Sequence, residues 1–136
     1  MPDLKNYRLL ISYSWKHDAE YTTIVNWLNN ESYFQWSNHS VTKDEPIDWC
    51  SKKELKEQLT RQIQGCNAII IVSGMYINYS EWIDYEIKEA LRMNKTIIGI
   101  KPRGNEKIPS IISENCDELV NWNSNSLIAA IRSNAK

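Results

Sequence analysis

Glu86 is the residue best placed to do chemistry. In the run Ser80-Glu-Trp-Ile-Asp-Tyr-Glu-Ile-Lys-Glu-Ala90, residues Ile83, Ile87, Ala90 and Leu91 form the apolar face of a helix. Glu86 lies at the border of that face, and Trp82, four residues earlier, shares its side. A carboxylate at an apolar border beside an indole can be desolvated, which raises its pKa, or can be aimed at a ligand. Spacing alone favours a plainer alternative, a solvated glutamate next to a core tryptophan, since Glu81, Asp84 and Glu89 share the helix. Ser12, Tyr13 and Ser14 offer hydroxyls and backbone amides, but without a glycine they form no phosphate cradle, and an ordinary polar turn explains them equally well. His17 and His39 have no Cys or His at metal-ligand spacing, so no metal site is expected. No Gly-x-Ser-x-Gly elbow occurs, and Cys66 has no neighbouring His in sequence, which argues against a covalent nucleophile. Trp15, Trp36, Trp49 and Trp82 fall where rings could stack on a nucleotide base, although core packing is the commoner use of tryptophan.

These residues need elements to position them, and the chain alternates strand and helix. Arg8–Ser12 reads as a first strand and Tyr33–Trp36 as a short second one. Ala68–Val72 is a continuous aliphatic run, the pattern of a central strand covered on both faces. Thr96–Ile100 makes a fourth strand, closed by Lys101-Pro-Arg-Gly104, and Glu118–Val120 a short fifth. A helix starts near Asp18, a suitable N-cap, with Tyr21, Ile24, Val25 and Leu28 on one face. Ser51-Lys-Lys-Glu54 is a capping box for a second helix with Leu55, Leu59 and Ile63 buried and Gly65 at a left-handed C-terminal cap. Ser80 caps the third helix, and a last one follows a cap near Ser124.

This alternation predicts an α/β fold: a flavodoxin-like three-layer sandwich around a five-stranded parallel sheet of order 2-1-3-4-5. Ligands of such sheets bind beyond the carboxyl ends of the strands where the winding reverses, here between strands one and three. The cleft is therefore expected to be built from Ser12–Trp15 and Ser73–Tyr76. The loop Ser37–Cys50 should close it, which brings Ser37 and Asn38 among the substrate-binding candidates.

Composition sets the outer limits. With 136 residues and no linker long enough to divide them, the chain is expected to form a single domain over 1–136. It is 42% hydrophobic with a formal charge of −1, which excludes a disordered chain and a whole-surface electrostatic grip on nucleic acid. Its aliphatic stretches fall far short of the about 20 residues of a membrane span. Three widely spaced cysteines, Cys50, Cys66 and Cys116, suggest no disulfide framework, and no signal-peptide layout opens the chain, so a cytoplasmic protein is expected.

The segments Leu10-Ile-Ser-Tyr-Ser-Trp15, Ala68-Ile-Ile-Ile-Val-Ser-Gly74 and Ser80–Ala90 together resemble a TIR domain. Trp82-x-x-x-Glu86 matches that family's Trp-x-x-x-Glu, and Thr96-Ile-Ile-Gly-Ile-Lys-Pro102 is similar to its following strand. Asn29-Asn-Glu-Ser-Tyr-Phe-Gln-Trp-Ser37 and Leu59-Thr-Arg-Gln-Ile63 are similar to the TIR-like ThsB proteins of bacterial Thoeris anti-phage systems. The resemblance covers about residues 7 to 122. The chain departs from it at Trp15 and Lys16, where many TIR domains carry other polar residues, and in a Ser37–Cys50 loop that is not the usual glycine-bearing one.

The resemblance implies the TIR fold and an enzyme that cleaves the bond between ribose and nicotinamide in NAD, which is a substrate rather than a cofactor. Glu86 would be the catalytic carboxylate, Trp82 would shape its helix, and Ser12, Tyr13 and Ser14, with Trp15, would line the nucleotide pocket. The product would be a cyclic ADP-ribose-type or related ADP-ribosyl signal passed to a separate effector protein, with TIR self-assembly or a phage protein as possible trigger. A non-catalytic TIR module recruiting partner proteins is the competing expectation. A phosphoacceptor receiver domain is excluded, because Ser12-Tyr-Ser14 and Ser73 stand where it needs acids. FMN binding lacks its glycine-containing phosphate loop.

Overall fold

A computed structural model of the chain describes residues 5–15, 17–43, 52–102, 104 and 107–135, with Trp15 and Lys43 described by their backbone alone. Five parallel strands form its sheet: β1 (Asn6–Ile11), β2 (Gln35–Asn38), β3 (Ala68–Val72), β4 (Thr96–Ile100) and β5 (Glu118–Val120). Their order is β2-β1-β3-β4-β5, the expected 2-1-3-4-5. Leu9, Leu10 and Ile11 stand opposite Ala68, Ile69 and Ile70, and β3 runs in register with β4 from Ala68–Thr96 to Val72–Ile100. Every residue of β3 and β4 is buried, as continuous aliphatic strings require.

Among the described residues five α-helices cover the sheet: α1 (Ala19–Asn30), α2 (Lys52–Gly65), α3 (Tyr76–Arg92), α4 (Ser110–Asn115) and α5 (Ser124–Asn134). α1 packs against α5, whereas α2 packs against α3 and α3 against α4. Because the winding reverses after β2, right-handed crossovers put the first pair on one face and the other three on the opposite face. Ile24, Leu28, Leu127, Ile128 and Ile131 join the main core with β1, β3 and β4. A second apolar cluster lies beyond the strand ends, made of Tyr13, Val41, Leu55 and Leu59 with Tyr79, Trp82 and Tyr85 packed on it.

β3, β4 and β5 keep their expected bounds, whereas β1 runs Asn6–Ile11 rather than Arg8–Ser12 and most of the expected caps differ. Asp18 caps α1 by accepting from the amides of Glu20 and Tyr21. β2 starts two residues later than its hydrophobic run suggests, because Tyr33 takes a left-handed φ of 56° and turns the chain first. Gly65 is no left-handed cap: among the described residues no glycine has positive φ, and the helix end closes through Cys66 N–H on the Ile63 carbonyl. α3 begins at Tyr76 rather than at Ser80, but its helical geometry breaks at Tyr79 (φ −130°, ψ 25°), so the regular part does start beside Ser80. The last helix is capped by Asn123, one residue before the expected position. α4 has no counterpart in the sequence expectation, which left 105–117 as a connection. The Ser51 side of the capping box, Trp49, Cys50, residues 44–50 of the loop, Lys16 and Arg103 lie outside the described residues.

Candidate active site

The site forms where β1 and β3 end side by side. Ser12 fastens those ends: its amide donates to the Ile70 carbonyl at 2.9 Å, and its hydroxyl accepts from the Val72 amide at 3.1 Å. Fully buried and so engaged, Ser12 serves the backbone of the crevice. The next amide, of Tyr13, donates to both carboxyl oxygens of Glu86, at 2.9 Å to Oε1 and 3.2 Å to Oε2. Helix α3 thus delivers Glu86 directly to the end of β1.

Glu86 is completely buried, deeper than the border position its helix spacing suggests. Tyr13, whose amide reaches both of its carboxyl oxygens, is itself 5% exposed. The Tyr13 ring packs edge-on to Tyr79 at 6.0 Å and tilted against Trp82 at 5.6 Å. Burial pushes the Glu86 carboxyl from 4.5 up to about 8, only partly opposed by the Tyr13 amide. In this closed arrangement the carboxyl keeps its proton at neutral pH. Once solvated it would ionise in the ordinary carboxylate range.

The other candidates divide. Ser14 is fully buried, and no hydrogen-bond partner reaches its Oγ among the described residues. Its backbone pairs with Thr42, and that of Trp15 with Lys43, in a two-residue parallel ladder beside the crevice. Trp82 meets the site through the Tyr13 ring. Ser37 and Asn38 are not brought to Glu86 by any contact described. The Ser37 hydroxyl accepts from Asn6 at the amino-terminal end of β1 (2.9 Å), and the Asn38 amide donates to the Tyr21 hydroxyl on α1 (2.9 Å).

Two features escape sequence reasoning. Tyr13 holds the Glu86 carboxyl through its backbone amide while its ring packs on Tyr79 and Trp82, and nothing in a strand-end tyrosine announces either contact. Glu20, in the first turn of α1, reads as a routine acidic residue near a helix N-terminus. It packs instead on Gly74, in the tight turn Ser73–Met75 after β3: a Cβ built on Gly74 would lie 2.5 Å from Glu20 Oε2 and 2.7 Å from Oε1. The glycine two residues after a central strand was the available signal for a close approach.

Elsewhere a cavity of about 700 Å³ opens between α2 and α3, lined by Lys53, Lys56, Glu57, Thr60, Arg61 and Tyr85. Glu86 is not part of its wall. Among the described residues no group of three His, Cys, Asp or Glu could hold a metal ion, and no helix is long and apolar enough to cross a membrane.

Solved structures of other proteins share this fold. The CMP N-glycosidase BcmB of Clostridium botulinum superposes with a TM-score of 0.57 at 12% identity, over 93% of this chain and 98% of that one. A 3-dehydroquinate dehydratase-like protein from Bifidobacterium longum gives a TM-score of 0.52 at 6% identity, over 93% and 94%. At such identities both show a shared fold. No curated protein sequence matches the chain significantly. Residues 10–107, from the end of β1 to past β4, match the family described as Thoeris protein ThsB, TIR-like domain. With the Trp82–Glu86 pair on the helix that follows β3, the chain belongs to the ThsB TIR-like family.

Proposed function

We propose that this protein is a glycohydrolase-type enzyme of anti-phage defence that cleaves the nicotinamide–ribose bond of NAD. The ADP-ribosyl product, cyclic or closely related, would activate a separate effector protein. The observation that carries the reading is the Glu86 carboxyl, held at the carboxyl end of β1 where sheets of this order bind their ligands. Membership of the ThsB family supports a role beside other defence proteins, and the likeness to an N-glycosidase is in keeping with N-glycosidic chemistry on this fold.

One carboxylate is enough for that bond. Nicotinamide leaves with the bonding electron pair and so neutralises its own ring cation, which removes the need for a general acid. An ionised Glu86 would orient ribose hydroxyls and stabilise the positive charge developing at C1′. Water, or a nucleophile within the ADP-ribose, then forms the new bond to C1′. Reaching Glu86 requires the Tyr13 segment to move, because the carboxyl is closed off in the described arrangement.

That same closure favours a second reading, a non-catalytic interaction module in which the Glu86–Tyr13 contact only braces a loop. Nucleotide profiling by mass spectrometry in phage-challenged bacteria carrying the wild type or Glu86→Gln separates the two. A new ADP-ribose-derived species that vanishes with the variant is the expected result. Unchanged nucleotide pools with both proteins folded and expressed would turn the conclusion to the module.

A further inference from the structure

Two carboxyl groups approach the crevice from opposite layers. Glu86 comes from α3 on one face of the sheet and bonds the amide that follows Ser12. Glu20 comes from α1 on the other face and lies against Gly74, two residues beyond Val72. Ser12 and Val72 are hydrogen-bonded to each other, so both acids sit beside the same joint between β1 and β3. Two hydroxyls flank that joint as well. Ser14 is fully buried and Ser73 is 5% exposed, and among the described residues neither Oγ has a hydrogen-bond partner. Buried hydroxyls are nearly always satisfied, by an ordered water or a ligand where the protein offers no partner, and here two such hydroxyls stand beside one strand-end joint.

We propose that Glu20, Ser14 and Ser73 form a subsite for the vicinal hydroxyls of a ribose. A diol presents two O–H donors and two acceptor oxygens. The Glu20 carboxylate accepts the donors, and the serine hydroxyls donate to the oxygens. Other ligand classes fit less well. A phosphate would be repelled by Glu20, an apolar ring would leave both hydroxyls unsatisfied, and a metal ion would need more anionic ligands than the described residues gather. Glu20 is then a substrate-positioning residue, opposite the carboxyl that the proposed cleavage uses. This assignment rests on the proposed ribose chemistry but not on Glu86 being catalytic.

The test compares ribose 5-phosphate with 2-deoxyribose 5-phosphate, titrated into ¹⁵N-labelled protein while the amide signals of Gly74 and Glu20 are followed. Wild type and Tyr13→Ala are both measured, so that a closed crevice does not hide the site. A preference for the ribose compound of fivefold or more is expected in at least one of them. Glu20→Gln in that same background should bring the preference below twofold, and Ser73→Ala, a gentler change, should also reduce it. No preference in either protein, or a preference untouched by both substitutions, overturns the subsite. NAD cleavage lost in Glu86→Gln alongside such a negative result would leave the proposed function standing. A clear ribose preference with no cleavage of NAD would instead leave the subsite standing alone.

Discussion

Replacing Glu86 with glutamine should change how the protein's stability responds to pH, with a sign fixed by its burial. The folded protein holds the carboxyl proton until about pH 8, whereas the unfolded chain releases it near 4.5. Between those values folding takes up a proton, so stability falls as pH rises, by about 1.4 kcal/mol per pH unit. Below the window both states are protonated, and above it both are ionised, so the contribution is flat on either side. Across the whole window the loss approaches ~5 kcal/mol, a large part of the roughly 5–15 kcal/mol that holds a domain together. Glutamine keeps an oxygen to accept from the Tyr13 amide but carries no titrating proton. Its buried NH₂ adds a cost that is constant with pH, which displaces the curve without tilting it. Urea unfolding followed by tryptophan fluorescence at pH 5, 6.5 and 8 measures the difference between variant and wild type. That difference should move in favour of Glu86→Gln by about 3–4 kcal/mol from pH 5 to 8, since both ends lie inside the titrations. A difference that changes by less than ~1 kcal/mol across this range would refute the buried, proton-holding carboxyl.

Gly74→Ala should displace the Glu20 carboxylate, on which its Cβ would fall, at a cost of no more than about 1 kcal/mol because that group ends a flexible side chain. Adding Glu20→Ala should remove the remaining cost, and a Gly74→Ala loss above ~2 kcal/mol that persists without Glu20 would show that the clash lies elsewhere. Gly99→Ala should cost about 1–3 kcal/mol by urea unfolding, since its Cβ would meet Leu119 Cδ1 at 3.0 Å and Ile112 Cγ2 at 3.2 Å. Cys66 is buried with its thiol pushed up to about 11 by desolvation, so iodoacetamide at pH 8 should leave it unmodified in the native protein, as read by peptide mass spectrometry.

The sheet was legible because its signals are local and redundant. Ala68–Val72 and Thr96–Ile100 are unbroken aliphatic runs, and their observed bounds match the expected ones residue for residue. The α1 cap is a single side chain acting on its own backbone, which sequence states directly. Edges read less well: β2 is displaced by the left-handed turn at Tyr33, a conformation that a tyrosine does not advertise. Helix spacing put Glu86 at the border of the apolar face and favoured a solvated carboxylate; its complete burial was not legible, and the Tyr13 amide that it meets lies 73 residues away in sequence. Glu20 was missed for the same reason. Its meaning arises at Gly74, on a different strand end, and an acid in a first helical turn already has an ordinary explanation.

The aromatic cluster around Tyr13 bears on how the molecule could open without coming apart. It is set apart from the main core, with its own buried members Tyr13, Val41, Leu55 and Leu59, and it meets that core through Tyr79, at the break in α3. A satellite of this kind can melt locally at a fraction of the global unfolding free energy. The β3–β4 ladder, buried along its whole length, would stay intact meanwhile. Amide exchange should then run in two tiers, with Tyr13 N–H exchanging through a small excursion and the β3 amides only through complete unfolding. The molecule would behave mechanically as a rigid sheet carrying a detachable aromatic clasp.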